Sequence, residues 1–354
     1  MKFHPLSVRE IRQETPDCVS VSLDIPAHLQ AEFQFTPGQY LTLRTELNGE
    51  EVRRSYSICT APSEQDCRVA IKKVPDGRFS SFANEVLQPG DLLEVMPPQG
   101  KFTHQSDPSL ARTFVGIAAG SGITPVLSIL KTVLFQEPNS QFLLFYGNRG
   151  FDHIIFREEL EQLKNQYPNR LSVHHIFSRE SMGNDLYQGY INGEKCQIFG
   201  RVFFKPQEVD AFFICGPEEM IFECKETLEQ LGVDPKKIKF ELFATGTSKQ
   251  PKKEVKKEDV IDADISVLQD GARFDFRLPS DGSTLLDAAM RAGADLPFSC
   301  KGGVCSTCKA KVLEGEVSMD LNYGLEPDEV AAGFVLTCQA HPKSDRVVIS
   351  FDEG

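Results

Sequence analysis

The stretch Leu296-Pro297-Phe298-Ser299-Cys300-Lys301-Gly302-Gly303-Val304-Cys305-Ser306-Thr307-Cys308 decides how the end of this chain folds. Three thiols crowd into nine residues, and a fourth, Cys338, follows Cys308 after 29 intervening residues. One compact loop can place three soft thiolates around an inorganic centre while a distant segment supplies the fourth. Structural zinc sites usually pair two C-x2-C elements, whereas C-x4-C-x2-C with a remote cysteine is an iron–sulfur spacing, that of a [2Fe–2S] cluster. Gly302 and Gly303 allow the backbone to fold tightly and aim N–H groups at sulfur, which favours added negative charge. Such a cluster exchanges one electron.

Working outward, the loop is preceded by strand-like stretches at 265–268 and 273–278 and by a short helix running through Met290, for which Asp281 or Ser283 is the expected cap. This last segment, 261–354, carries 8 Lys/Arg against 16 Asp/Glu and is the most acidic part of a chain whose net charge is −13. Before it, 244–260 holds Lys249, Lys252, Lys253, Lys256 and Lys257 without an apolar stripe, the composition of a solvated linker. A tether of that kind keeps the last domain near the others while leaving it able to change partners.

The first 108 residues have a different texture. Alternating stretches at 19–23, 39–43 and 68–71 are separated by turn signals at Pro37-Gly38 and Asn48-Gly49, which predicts a small antiparallel β-barrel. From 109 to 243, apolar strands at 114–118, 141–146, 171–177, 211–215 and 239–243 alternate with helical patterns at 126–135, 156–166 and 218–231. That alternation predicts a parallel sheet covered on both faces.

The 354 residues, 40 % apolar, suffice for two to three domains. The acidic balance argues against nucleic acid, and no apolar run approaches the ~20 residues that span a bilayer. Met1-Lys2-Phe3-His4-Pro5 lacks the apolar stretch of a signal peptide, so a cytoplasmic chain with no membrane partner is expected. In that compartment Cys18, Cys59, Cys67, Cys196 and Cys224 are expected as buried small side chains rather than disulfides. The tandem His174-His175 lies in a strand, where the two rings point oppositely, and is read as structural.

Four further motifs complete the pattern: Arg54-Ser55-Tyr56-Ser57, Gly77-Arg78-Phe79-Ser80, Gly120-Ser121-Gly122-Ile123-Thr124-Pro125 and Cys215-Gly216-Pro217. The third stands between a strand and a helix, as a pyrophosphate-binding turn must, although Thr124-Pro125 replaces the last glycine of the dinucleotide fingerprint. Proline is tolerated there because the first helical turn has no use for its missing N–H. In this order, with the cysteine loop at the end, the chain resembles the ferredoxin–NADP reductase family fused to a plant-type ferredoxin. Within that family the resemblance is strongest to the reductase subunits of phenylacetyl-CoA epoxygenases, multicomponent di-iron oxygenases of phenylacetate degradation.

The resemblance implies an FAD-binding β-barrel at 1–108, an NAD(P)-binding α/β domain at 109–243, the linker at 244–260 and a β-grasp [2Fe–2S] ferredoxin domain of α+β class at 261–354. It implies that Arg54 pairs with a flavin phosphate, that Tyr56 lies against the isoalloxazine and that Ser57 hydrogen-bonds near N5. Gly77 and Ser80 would form a second phosphate element, with FAD expected over FMN. Gly120, Gly122, Thr124 and Pro125 would hold the nicotinamide nucleotide, and Cys215, with Gly216 and Pro217, would lie beside the nicotinamide, shaping the site rather than attacking. Ser178 and Arg179, helped by Arg149 and Tyr187, resemble a 2′-phosphate site, which favours NADPH over NADH. Glu241 and Phe243 would pass by the outer face of the flavin, Phe243 covering the ring. The metal ligands would be Cys300, Cys305, Cys308 and Cys338.

The expected chemistry follows. NADPH yields two electrons as hydride and the cluster accepts one at a time, so a flavin must stand between them. The expected acceptor is the oxygenase of a multicomponent di-iron monooxygenase, reached through the acidic ferredoxin surface. The alternatives are a reductase of another oxygenase, such as a Rieske-type system, one serving a hybrid-cluster protein, and a non-enzymatic electron-carrier or binding module.

Overall fold

The computed structural model describes residues 2–243, 260–280 and 282–353; the expected linker, apart from Val260, and Asp281 lie outside the described residues. Two compact units divide the chain, Lys2–Phe243 and Ala244–Gly354.

The first unit opens with six antiparallel strands, β1 (His4–Thr15), β2 (Cys18–Asp24), β3 (Tyr40–Leu47), β4 (Glu50–Ser57), β5 (Cys67–Lys72) and β6 (Leu92–Gln99), in the order β4-β3-β6-β1-β2-β5. The edges meet: Ile58 bridges Val69, and the Cys59 N–H donates to the Arg68 carbonyl at 2.9 Å, closing the sheet into a barrel. Alternation puts Leu6, Val8, Val21, Leu41, Leu43, Val69, Ile71, Leu93 and Val95 inside. Asn48 and Gly49, at φ 56° and 77°, turn the β3–β4 hairpin, the left-handed pair that a two-residue connection favours. Helix α1 (Arg78–Glu85) plugs the barrel with Phe79 and Ala83. Its Arg78 is tied to Glu50 and donates to the Leu47 carbonyl at 2.7 Å, so this guanidinium has a structural task.

The chain then forms β7 (Thr113–Ala119), α2 (Ile123–Gln136), β8 (Gln141–Asn148), α3 (Arg157–Gln166), β9 (Leu171–Phe177), α4 (Gly193–Val202), β10 (Ala211–Gly216), α5 (Glu218–Gln230) and β11 (Ile238–Leu242). All five strands run parallel in the order β11-β10-β7-β8-β9. The chain starts in the middle, builds outward through β8 and β9, and returns to the other side of β7 with β10. The reversal leaves a crevice beyond the carboxyl ends of β7 and β10, where sheets of this kind bind ligands. Helix α2 is buried from Ile123 to Leu134, and Cys18, Cys59, Ala70 and Phe102 of the barrel join its hydrophobic core. One core therefore holds both halves of this unit, each fully buried Leu, Ile or Phe contributing about 1.5–3 kcal/mol.

The second unit has a mixed sheet of β12 (Asp262–Gln269), β13 (Ala272–Pro279), β14 (Lys309–Glu314), β16 (Phe334–Leu336) and β18 (Arg346–Ser350), in the order β13-β12-β18-β14-β16, and a small ribbon of β15 (Val317–Met319) with β17 (Ala340–Pro342). Only β12 and β18 pair in parallel. Helix α6 (Leu285–Arg291) packs Leu285, Leu286, Ala288 and Ala289 into the core, and α7 (Pro327–Ala331) precedes β16. The cap of α6 is Thr284, whose hydroxyl accepts from the Asp287 N–H at 3.3 Å; Ser283, an expected cap, instead bonds Arg291. A β-branched hydroxyl one residue nearer the helix reaches the free amide that Ser283 cannot.

Candidate functional site

The end of β4 brings one half of a site. Neighbouring strand residues face opposite ways, so Ser57 is buried while Tyr56 is half-buried on the other face with its ring 5.6 Å from that of Phe79. Arg54 shares the face of Tyr56, is exposed, and uses one amino group to donate to the Arg53 carbonyl at 2.7 Å. Its fork is therefore held in place with other N–H groups left for an anion, as phosphate recognition requires. Gly77 ends a turn on the Val74 carbonyl at 3.0 Å, directly before α1. The Ser80 hydroxyl is buried and donates to the Gly77 carbonyl at 3.1 Å while accepting from the Val74 N–H at 3.3 Å. It braces the turn, which leaves the free N–H groups of the helix start as the groups here suited to an anion.

The other half lies at the crevice. Gly120 turns the chain out of β7 at φ +54°, its carbonyl accepting from the buried Tyr146 hydroxyl at 3.0 Å. Helix α2 then begins with Thr124 and Pro125 in its first turn, and the Thr124 hydroxyl donates to the Ser121 carbonyl at 3.0 Å. At Gly122 a Cβ would sit 2.1 Å from the Cys215 carbonyl oxygen, so only glycine lets the helix start press against the end of β10. Pro217 caps α5, and a Cβ on Gly216 would lie 2.6 Å from the Met220 methyl. Backbone amides of two helix starts thus converge on the crevice, the cradle that an anionic dinucleotide requires.

Parallel register sets Cys215 beside Ala118 on one side and Glu241 on the other. Glu241 accepts from the Ser57 hydroxyl at 3.0 Å, joining the last strand of the sheet to the end of β4. Although Glu241 keeps some exposure, burial pushes its carboxyl up to about 8 against the pull of the Ser57 hydrogen bond. Burial, and to a lesser degree the nearby Glu241, push the fully buried Cys215 thiol far up, so it stays protonated and shapes the crevice without acting as a nucleophile. Phe243 is half-buried and packs on the core of the parallel sheet.

Two features here have no local signature. Ser57 and Glu241 are 184 residues apart, and nothing in either neighbourhood announces the pair. Lys72, which stands 3.6 Å from Asp17, places its ammonium 4.0 Å from where a Gly120 Cβ would be. A cation from the barrel thus stands over the glycine turn, a feature that motif reading misses.

The outer end of the crevice is built by β8 and β9. The Ser178 N–H donates to the Asn148 carbonyl and the Arg179 N–H to the Arg149 carbonyl, each at 2.9 Å, so the two exposed arginines leave the sheet side by side. Glu180 accepts from the Phe151 N–H at 3.1 Å and fills the space over Gly150. Tyr187 stacks on His174 with an interplanar angle of 5°, and its hydroxyl lies 3.4 Å from the His174 ring nitrogen. That contact gives His174 a packing role.

In the second unit the four thiols form two contacting pairs, Cys300 with Cys305 and Cys308 with Cys338, and charge on Cys305 and Cys300 is felt at Cys308 and Cys338. The first contact, reinforced by N–H donors from Gly302, Val304 and Cys305, pulls Cys300 down to about 6 despite burial. Cys338 is likewise lowered, by Cys308 first and then by the Gly303 N–H and the Gln339 amide. Gln339 also donates to the Lys301 carbonyl at 2.9 Å, and the Thr337 hydroxyl to the Cys308 carbonyl at 3.0 Å, which fastens the turn that carries the remote cysteine onto the loop. Cys305 and Cys308, the partners in the two contacts, are pushed well up in turn, so the amides favour the thiolate at one member of each pair, and the loop with its remote fourth cysteine matches the ligand order of a [2Fe–2S] cluster.

Comparison with known proteins finds three domain families along the chain. Residues 5–104 match the oxidoreductase FAD-binding domain, 117–226 the oxidoreductase NAD-binding domain and 267–343 the 2Fe-2S iron-sulfur cluster binding domain. The chain is 46 % identical over 353 residues, 99 % of this chain and 98 % of the relative, to one of the subunits of 1,2-phenylacetyl-CoA epoxidase of Escherichia coli. It is 35 % identical, over 98 % of this chain and 96 % of the relative, to the ferredoxin reductase component of 3-ketosteroid-9-alpha-monooxygenase of Rhodococcus rhodochrous. The structure of phthalate dioxygenase reductase has the same fold, with a TM-score of 0.62 and 23 % identity over 99 % of this chain and 98 % of that one. Among the described residues no helix is long and apolar enough to cross a membrane. The chain belongs to the family of FAD-, NAD(P)H- and [2Fe–2S]-dependent oxidoreductases that serve as reductase components of multicomponent oxygenases.

Proposed function

We propose that this chain delivers electrons from NADPH, through FAD and the [2Fe–2S] cluster, to the oxygenase of a phenylacetyl-CoA epoxidase in the cytoplasm. The observation that carries the choice of acceptor is the 46 % identity to a component of that epoxidase along almost the whole chain, against 35 % for the ketosteroid reductase.

FAD, when bound, supplies the conversion between a two-electron hydride donor and a one-electron acceptor. Arg54 and the helix start after Gly77 hold its phosphates, and Tyr56 gives its ring an apolar face. Gly120, Gly122, Thr124, Pro125, Gly216 and Pro217 line the nucleotide's approach, while Cys215 keeps water from the crevice. Ser57 stands at the flavin edge and, through the hydroxyl proton it donates to Glu241, connects that edge to a carboxyl whose raised proton affinity suits it to exchange a proton near neutral pH. Ser178 with Arg179 and Arg149 receives the 2′-phosphate. Cys300, Cys305, Cys308 and Cys338 hold the cluster.

The test combines the cofactor-loaded full chain with the purified oxygenase part of the epoxidase, phenylacetyl-CoA and NADPH. Coupled epoxide formation is expected. Rapid NADPH oxidation without epoxide, alongside productive turnover with a ketosteroid oxygenase, would transfer the assignment to that system.

A further inference from the structure

The hydride site is split between two modules, because Arg54, Tyr56 and Ser57 belong to the barrel while the 120–124 turn and Cys215 belong to the parallel sheet. Their spacing is fixed by whatever ties the modules together nearby. The barrel chain leaves Ser57 through Ile58, Cys59 and Thr60 to a short turn at Pro62–Glu64, and helix α2 lies against that segment. Ser128, fully buried on α2, donates to the Thr60 carbonyl at 2.6 Å. Three residues on, Lys131 is 2 % exposed and pairs with Glu64 of the barrel at 2.8 Å and with Glu159 of α3 at 2.5 Å.

Both partners are themselves anchored. The Glu64 carboxylate also accepts from the Ala61 N–H at 2.5 Å, and the Thr60 hydroxyl donates to the Asp66 carbonyl at 2.5 Å. Burial alone would push the Lys131 ammonium down, but Glu159 and Glu64 more than reverse that and hold it up, so the charge is present throughout the working pH range. Thr124, Ser128 and Lys131 follow each other at helical spacing along one side of α2, with roughly 10 Å from the first to the last at ~1.5 Å per residue. A cleft of about 680 Å³ opens beside this seam, walled by Arg12, Glu14, Arg68, Arg157 and Glu159 among others, and includes none of the cofactor-facing residues. Its charges alternate in sign, so nothing in it selects a ligand.

A lysine sealed between two modules contributes little net stability, because desolvation offsets the attraction and a well-packed apolar residue often does as well. What such a group does supply is register. We propose that Lys131 is a positioning residue for hydride transfer: with Ser128 it fixes helix α2, and so the 120–124 turn, to the barrel segment that continues from Tyr56 and Ser57. Displacing one module against the other by a fraction of an ångström lengthens the transfer distance without removing any group that touches cofactor.

The experiment compares Lys131→Met, Lys131→Arg and Ser128→Ala with the parent chain. In the FAD-loaded full chain, anaerobic flavin bleaching at saturating NADPH is expected to slow about tenfold in Lys131→Met. FAD content and half-saturating nucleotide should stay within about twofold, and Lys131→Arg should recover most of the rate. Before FAD loading, backbone amide exchange read by mass spectrometry should speed up in Lys131→Met at both 59–64 and 120–131. An unchanged saturated rate, or a loss confined to nucleotide affinity or FAD content, overturns the proposal. Should Lys131→Met fail to fold, Ser128→Ala decides by the same two readouts, with slower bleaching and faster exchange expected and unchanged values overturning it.

Discussion

In the cluster loop, three of four thiols come from nine consecutive residues, and the local backbone supplies the amides that tune them. In the hydride crevice nothing is local: Ser57 meets Glu241 across 184 residues, Cys215 meets Gly122 across a sheet crossing, and Lys72 reaches over from another module. A one-electron site needs little more than four sulfurs and a shell of donors. Hydride transfer needs two rings held face to face, so its residues must come from two modules whose separation is controlled. The contrast predicts that damage in the loop stays local, whereas damage in the crevice spreads.

The largest effect tests the local half. Cys305→Ser removes one of the four thiols, and the visible absorption and the paramagnetic signal of the reduced cluster should disappear. Electron delivery to an oxygenase should fall by about a hundredfold or more, while flavin-level reduction of ferricyanide stays within about twofold of the parent. Loss of the ferricyanide activity as well would mean that the two sites are not independent. Gly122→Ala attacks the other half at its tightest point, where the new Cβ would stand 2.1 Å from a backbone oxygen. Backbone yields poorly, so the 2–243 unit should lose about 3 kcal/mol in chemical denaturation, with flavin bleaching abolished and the cluster still assembled.

Glu241→Gln is expected to be milder. It keeps the hydrogen-bond partner of Ser57 but removes the titratable proton, and flavin-to-cluster electron flow should fall about a hundredfold with FAD retained. The linkage has a definite sign. A carboxyl that titrates at about 8 in the fold and near 4.5 when unfolded binds more protons in the folded state between those values, so stability falls as pH rises through that window. In the FAD-free protein the parent should lose about 2 kcal/mol relative to Glu241→Gln between pH 5 and 9, the partial exposure of the group damping the full shift. A parent whose stability does not fall relative to Glu241→Gln in that window would mean that the carboxyl is already ionised.

The same contrast explains what could be read without a structure. The cysteine spacing, the Asn48-Gly49 hairpin and the strand–helix alternation after Thr113 are short-range patterns, each set by one loop's chemistry or one element's period. Sheet order is not of that kind, because β10 returns beside β7 only when the whole crossover is built. Glu241 illustrates the limit: the last strand is visible as an apolar run and the resemblance sets it near the flavin, yet the partner of its one acid comes only from parallel register with Cys215 and from the barrel end that faces it. Thr284 replaces Ser283 as a cap for a smaller reason, the ±1 residue uncertainty that any helix start carries until its free amides are placed.

The adenosine end stands between these extremes and gives the smallest effect. Ser178 and Arg179 are adjacent in sequence, but Arg149 joins them only because the ends of β8 and β9 are hydrogen-bonded, Arg179 N–H to Arg149 carbonyl at 2.9 Å. If the two guanidiniums share a 2′-phosphate, Arg179→Ala removes one charge-assisted contact worth about 1.5–3 kcal/mol. The KM for NADPH should therefore rise about tenfold or somewhat more, while the KM for NADH and the saturated bleaching rate stay put, since the contact lies far from the reacting carbon. Arg149→Ala should act in the same direction, and the double variant should fall short of the sum because both charges serve one anion. Equal losses for NADPH and NADH would mean that these arginines grip the part common to both nucleotides, and the specificity reading would pass from the side chains at 178 and 179 to the turn at 120–124.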